Sequence, residues 1–177
     1  MRSAVLGLTV SVVLAGVAPA QTPEKAPRPG IANYSRLDAR FACGGATEPA
    51  AFAGLKAEGF SAVINLRTAG EQGAEIDAGR AAAEQAGLEY IHIPLSNAAP
   101  TDEAFDAFMK AVTDPANQPL FIHCGSANRV GAVWIAKRML VDGWPAEKAV
   151  AEAKTIGLRS EPLEKFALAY VEKHKRP

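Results

Sequence analysis

Residues Leu120 to Arg129, LFIHCGSANR, set a cysteine, small residues and an arginine where an apolar run gives way to a helical pattern. A cysteine thiolate is a nucleophile, and a guanidinium can grip two oxygens of a phosphate-like or sulfate-like anion at once. Gly125, Ser126 and Ala127 carry little side chain, so successive N–H groups can turn inward as an anion cradle, with Asn128 closing it. The helix that follows adds its N-terminal partial positive charge. Arg129, in the first turn, faces that positive end, which is unfavourable unless an anion offsets it. The same surroundings favour a thiolate at Cys124. The bland alternative makes Cys124 a small buried hydrophobe and Arg129 a solvated helix residue. His123 orients the loop by hydrogen bonding or is a satisfied polar residue beneath the strand end; it is not assigned as a general base.

The elements that must hold this segment are readable from periodicity. Leu37 to Cys43 reads as a first strand, followed by a Gly44-Gly45 turn and a helix with Thr47 as N-cap and Phe52 and Leu55 inward. Phe60 to Leu66 reads as a buried strand, Glu71 to Gln85 as a helix stopped by Gly87, and Leu88 to Ile93 as a strand closed by Pro94. Pro100 and Thr101 open a helix through Phe105, Phe108 and Met109. Leu120 to His123 is a strand and Arg129 to Val141 a helix. Helices over Pro145 to Ile156 and Glu161 to Lys173 end the chain. The expected fold is a single-domain α/β, mostly parallel sheet with helices on both faces and a helical C-terminal end. A loop after a strand's carboxyl end is where such sheets bind ligands.

The first twenty residues have a basic start, an apolar stretch from Ala4 to Val17 and an Ala18-Pro19-Ala20 ending, the pattern of a cleavable signal peptide. Export to the periplasm or exterior is the expectation, with residues 21–30 a proline-rich linker and 31–177 the domain. No later apolar stretch is long enough for a membrane span. The chain has 19 basic and 19 acidic residues without a long run of either sign, which argues against a nucleic-acid partner. Cys43 and Cys124 are too few for a disulfide scaffold, and neither has metal-ligand spacing with His92, His123 or His174. No metal or organic cofactor is expected.

With these residues in view, the chain from about Tyr34 to Leu140 resembles the cysteine-dependent protein tyrosine and dual-specificity phosphatases, especially a bacterial branch of phosphatase-like, or beta-lactamase-hydrolase-associated, domains. The matches run in order: Gly44-Gly45, Val63-Ile64-Asn65-Leu66-Arg67, Gly87 to Pro94 (GLEYIHIP), and His123-Cys124 to Arg129. The resemblance implies a phosphatase-like fold and a Cys124 thiolate that forms a phosphocysteine from a small-molecule or protein phosphoester.

Three departures accompany it. The phosphatase pattern places five residues between cysteine and arginine, whereas Gly125 to Asn128 are four, a spacing that resembles rhodanese-like sulfurtransferases, whose persulfide takes sulfur from a donor anion. Ser96 and Asn97 stand where such phosphatases carry an acidic proton donor; Asp102 is nearby but in a helix first turn, where capping preferences also explain it. Val130 replaces the serine or threonine that helps release phosphocysteine. Three readings therefore stay open: phosphoester hydrolysis, sulfur transfer, and anion binding without turnover.

Cys43 lies where the first strand meets Gly44-Gly45 and is either a disulfide or persulfide partner of Cys124 or a buried free thiol. Arg67, at a strand's carboxyl end, either lines the pocket or makes a surface ion pair. Glu71, Glu75, Asp77 and Arg80 read as a solvated helix face.

Overall fold

The computed structural model describes residues 22–175. The expected signal peptide and Gln21 lie outside the described residues. A six-stranded sheet runs in the order β1-β2-β3-β6-β4-β5. The strands are β1 (Glu24–Lys25), β2 (Ser35–Arg36), β3 (Phe41–Gly44), β4 (Ala62–Asn65), β5 (Glu89–His92) and β6 (Leu120–His123). The three pairings β3-β6, β6-β4 and β4-β5 are parallel, while β1 and β2 add an antiparallel edge. The helices are α1 (Phe52–Ala57), α2 (Ile76–Ala86), α3 (Asp102–Thr113), α4 (Asn128–Leu140), α5 (Ala146–Ile156) and α6 (Glu161–His174). The mostly parallel sheet with helices on both faces and a helical end is the architecture expected from the sequence.

Side-chain alternation along the central strands sorts the core into two layers. Phe41 and Cys43 of β3, Ala62 and Ile64 of β4, and Leu120 and Ile122 of β6 pack with α3 to α6. Ala42, Val63 and Phe121, on the opposite face, pack with Phe52 and Leu55 of α1 and Ala83 of α2. Continuing the alternation past β6 puts Cys124 in the first layer. His123, in edge-to-face contact with Phe52 and stacked on Phe121, belongs to the second.

Three local expectations are corrected. Residues 24–25 are not a tether but the edge strand β1, whose backbone pairs with β2; two residues are too short to show alternation in the sequence. Thr47 caps no helix: its hydroxyl donates to the Gly45 carbonyl, and a 3-10 turn at Pro49–Ala51 leads into α1. The second helix begins at Ile76 rather than Glu71, since residues 68–75 form a loop held from both sides by side chains of the candidate site.

Candidate active site

Cys124 directly follows β6 in the middle of the sheet, 1% exposed, its N–H directed at the Gly44 carbonyl at 3.4 Å. The next three residues turn the chain into α4, and they do so with Ala127 at φ 67, a left-handed conformation that side chains ordinarily avoid. That residue lets the four-residue loop reach the helix. The Gly125 carbonyl accepts from Ala46 N–H at 2.9 Å, and the Ser126 carbonyl accepts from Asn33 Nδ2 at 3.3 Å. The N–H groups of Gly125, Ser126, Ala127 and Asn128 meet no protein acceptor among the described residues. With carbonyls tied back and amides unpaired, the loop has the donor set of an anion cradle.

Close approach explains the glycines around it. A Cβ on Gly45 would stand 3.1 Å from both the Gly125 carbonyl oxygen and Ser126 Cα. A Cβ on Gly157 would stand 3.0 Å from the Ser126 carbonyl oxygen. Asn128 braces the other flank: its Oδ1 accepts from Arg159 and Ser160 N–H, and its Nδ2 donates to Asn97 Oδ1 at 3.0 Å.

Arg129 is 3% exposed, and its partners define what it can do. Nη1 donates to the carbonyls of Leu66 (3.2 Å) and Leu95 (3.0 Å) and to Glu71 Oε1 (2.5 Å), while Nη2 donates to Glu71 Oε2 (2.7 Å). Glu71 thus holds the end-on edge of the guanidinium bidentately. Nε is buried and meets no hydrogen-bond partner among the described residues, so the Nε–Nη2 edge remains for an oxyanion. Burial opposes the charge of Arg129, but the Glu71 hydrogen bonds and neighbouring Cys124 prevail and raise its pKa. In Glu71 the Arg129 hydrogen bonds outweigh burial and hold the carboxyl at about 2. The anion that offsets an arginine at a helix's positive end is therefore supplied by the protein itself.

Glu71 is the site residue the sequence reading missed. Its spacing to Glu75 mimics a helix face, but Gly70 and Gly73 on either side were the signal of a loop. Arg67, for which pocket lining and a surface ion pair were both open, is buried and clamps that loop. Its Nη2 and Nη1 donate to the carbonyls of Gln72 and Gly73, each at 2.6 Å, and its Nε to Glu71 Oε2 at 3.4 Å.

The remaining candidates fall outside the cluster. Asp102 is the first residue of α3 and pairs with Lys173 of α6 at 2.9 Å, which ties two helices together. His123 lies on the other face of the sheet from Cys124, and burial, helped by Arg67, lowers its pKa to about 3, so the ring is neutral at physiological pH. Cys43 is buried and free, as is Cys124. It stands opposite Ile122 on the same face as Cys124, and burial, then the proximity of Cys124, push its thiol up.

A parallel sheet that delivers a cysteine into an amide cradle closed by a buried arginine defines a phosphatase-like α/β protein. The chain belongs to the family described as DSP-PTPase phosphatase fused to NAD+ kinase, whose model matches residues 24–166. It is 30% identical over 102 residues to a beta-lactamase hydrolase-like protein of Agrobacterium fabrum, covering 56% of this chain and 23% of that one. Against the protein of the same name from Xylella fastidiosa it is 30% identical over 109 residues, 60% of this chain and 25% of that one. The chain thus spans about a quarter of the length of these relatives. Among solved structures, the DUF442 protein of Shewanella putrefaciens CN-32 superposes with a TM-score of 0.70 at 21% identity, covering 83% of this chain and 94% of that one. TpbA of P. aeruginosa gives 0.65 at 22% identity, covering 89% and 92%.

Proposed function

We propose that this chain is an exported, cysteine-dependent phosphoester hydrolase. The Cys124 thiolate attacks phosphorus, forming an S–P bond as the P–O bond to the leaving group breaks. Water then attacks the phosphocysteine, releasing phosphate and restoring the thiolate. The side-on edge of Arg129 and the amides of Gly125 to Asn128 bind the three equatorial oxygens in both steps, where fixed donors in a dry site act most strongly on developing charge. Arg67 and Glu71 position that arginine. The observation that carries the reading is the buried Nε of Arg129, without a partner among the described residues, beside Cys124 on a guanidinium whose other edge is already pinned. Family membership supports phosphorus over sulfur as the atom attacked. A further structure of TpbA holds pTyr, and aryl phosphomonoesters are the first substrates to try.

The test pairs p-nitrophenyl phosphate hydrolysis with thiosulfate-to-cyanide transfer, for wild type and Cys124→Ser. The expected result is phosphate release that Cys124→Ser abolishes, without sulfur transfer. Cys124-dependent turnover of thiosulfate alone would make this a sulfurtransferase, and turnover of neither would leave an anion-binding module. Export is tested separately, by the N-terminal residue of the protein recovered from the periplasm or medium; Gln21 is expected.

A further inference from the structure

Phosphoryl transfer to a thiolate leaves negative charge on the departing oxygen, and an enzyme either protonates that oxygen or accepts only oxygens that carry the charge well. The groups around the cradle decide between these. The loop from Leu95 to Thr101 overhangs the site, since the Leu95 carbonyl touches Arg129 and Asn97 touches Asn128. Its two functional side chains are already engaged. Ser96 Oγ accepts the N–H groups of Ala98 and Ala99, which folds the loop on itself, and Asn97 Oδ1 accepts from Asn128. Neither is an acid.

Among the described residues, Glu71 is the carboxyl group that touches the cradle's arginine. Both oxygens of Glu71 face the Arg129 guanidinium, an arrangement that requires the ionised form. Asp102 pairs through Oδ2 with Lys173 of α6; its Oδ1 is buried without a partner among the described residues, and no hydrogen bond joins it to the cradle. Glu48 and Glu75 line a cleft of about 360 Å³ with Arg28, Ala46 and Arg67, and neither makes a hydrogen bond to the cradle loop. His123 is on the opposite face of the sheet, between Phe52 and Phe121. Among the described residues, the contacts of the cradle thus supply a nucleophile and oxyanion donors, and no carboxyl group other than the ionised Glu71.

We propose that the substrates are phosphoryl compounds whose leaving group departs as a stable anion, namely phosphate esters of acidic phenols and phosphoanhydrides, and not alkyl phosphoesters. This rests on the phosphatase reading above. In the first step the P–O bonding pair stays on the leaving oxygen, which departs as phenolate or phosphate and takes its proton from solvent. In the second, attacking water gives its proton to solvent as the S–P pair returns to Cys124.

The experiment uses the full chain and a set of phenyl phosphates that differ only in a ring substituent, with a phosphoserine peptide and inorganic pyrophosphate beside them, each repeated with Cys124→Ser. The expected result is a steady fall of kcat/KM as the departing phenolate becomes more basic, with alkyl phosphate slower than p-nitrophenyl phosphate by roughly the 10²–10⁴-fold that a general acid supplies. Pyrophosphate should be cleaved faster than the phosphoserine peptide. Asp102→Asn and Glu75→Gln should leave the slope unchanged. A rate independent of ring substituent, or a slope that steepens in either variant, would overturn the inference while leaving the phosphatase reading intact. Absence of Cys124-dependent phosphate release from every compound would instead overturn the reading beneath it.

Discussion

Arg129 carries two jobs on one planar group, and Glu71 is what divides them. By occupying Nη1 and one hydrogen of Nη2, the carboxylate fixes the plane of the guanidinium and directs the Nε edge at the cradle. Glu71→Gln keeps the shape but gives up a bidentate charged grip. Misplacing a transition-state ligand by an ångström is worth about 10²-fold in rate. The variant should therefore lose about that much in kcat/KM on p-nitrophenyl phosphate, with weaker inhibition by inorganic phosphate as the companion readout. The pH dependence has a definite sign. The Glu71 carboxyl is depressed from 4.5 to about 2, so its stabilisation is complete above pH 4.5 and is lost as pH falls toward 2. In urea unfolding, the stability gap between wild type and Glu71→Gln should be full at pH 6 and shrink between pH 4.5 and 2. A gap that stays constant would mean that the pair does not form.

The loop from Cys124 to Arg129 owes its shape to segments distant in sequence. Asn33, itself at φ 50 before β2, donates to the Ser126 and Ile156 carbonyls, and Gly157 ends α5 at φ 151 against the same Ser126 oxygen. Gly157→Ala should cost about 1–3 kcal/mol in backbone strain and also displace the cradle, lowering kcat/KM at least about tenfold. Gly143→Ala is the matched control: it has φ +69 but open space around the added methyl, so it should lower the melting temperature and leave kcat/KM alone. Such couplings explain what the sequence could reveal. The central strands were legible from their apolar runs, and α3 and α6 because their apolar periodicity is accompanied by the local caps Thr101 and Ser160, which accept from Ala104 and Leu163 N–H. Cys124 and Arg129 were legible because one short segment holds both. Glu71 and Asn33 were not, because they act across sequence separations of 58 and 93 residues. The start of α2 was misplaced by charges at helical spacing, and the strands β1 and β2 were too short to carry a pattern.

The molecule as a whole is held at the end away from the cradle by ion pairs within its larger core. Glu152 of α5 accepts from Trp134 Nε1 at 2.8 Å and from Arg138 Nε and Nη2 at 2.7 and 2.9 Å, and Arg138 also reaches Asp142. All three interacting groups of this α4–α5 contact are buried. Removing one partner leaves a buried cation and an indole N–H underpaired. Glu152→Ala should therefore destabilise by about 3 kcal/mol in denaturant unfolding while the kcat/KM of the folded fraction is unchanged. A change under about 1 kcal/mol would show that water repairs the network. At the cradle end, the alternation of faces along β6 has a different consequence, for insertions and deletions. Adding or losing one residue within Leu120 to His123 would exchange the faces of His123 and Cys124, sending the nucleophile toward α1 and the imidazole toward α4. A length change beyond the cysteine leaves those faces as they are, and there Ala127 at φ 67 turns the four-residue loop into α4. A loop of altered length therefore keeps the nucleophile on its own face, which an indel inside β6 does not.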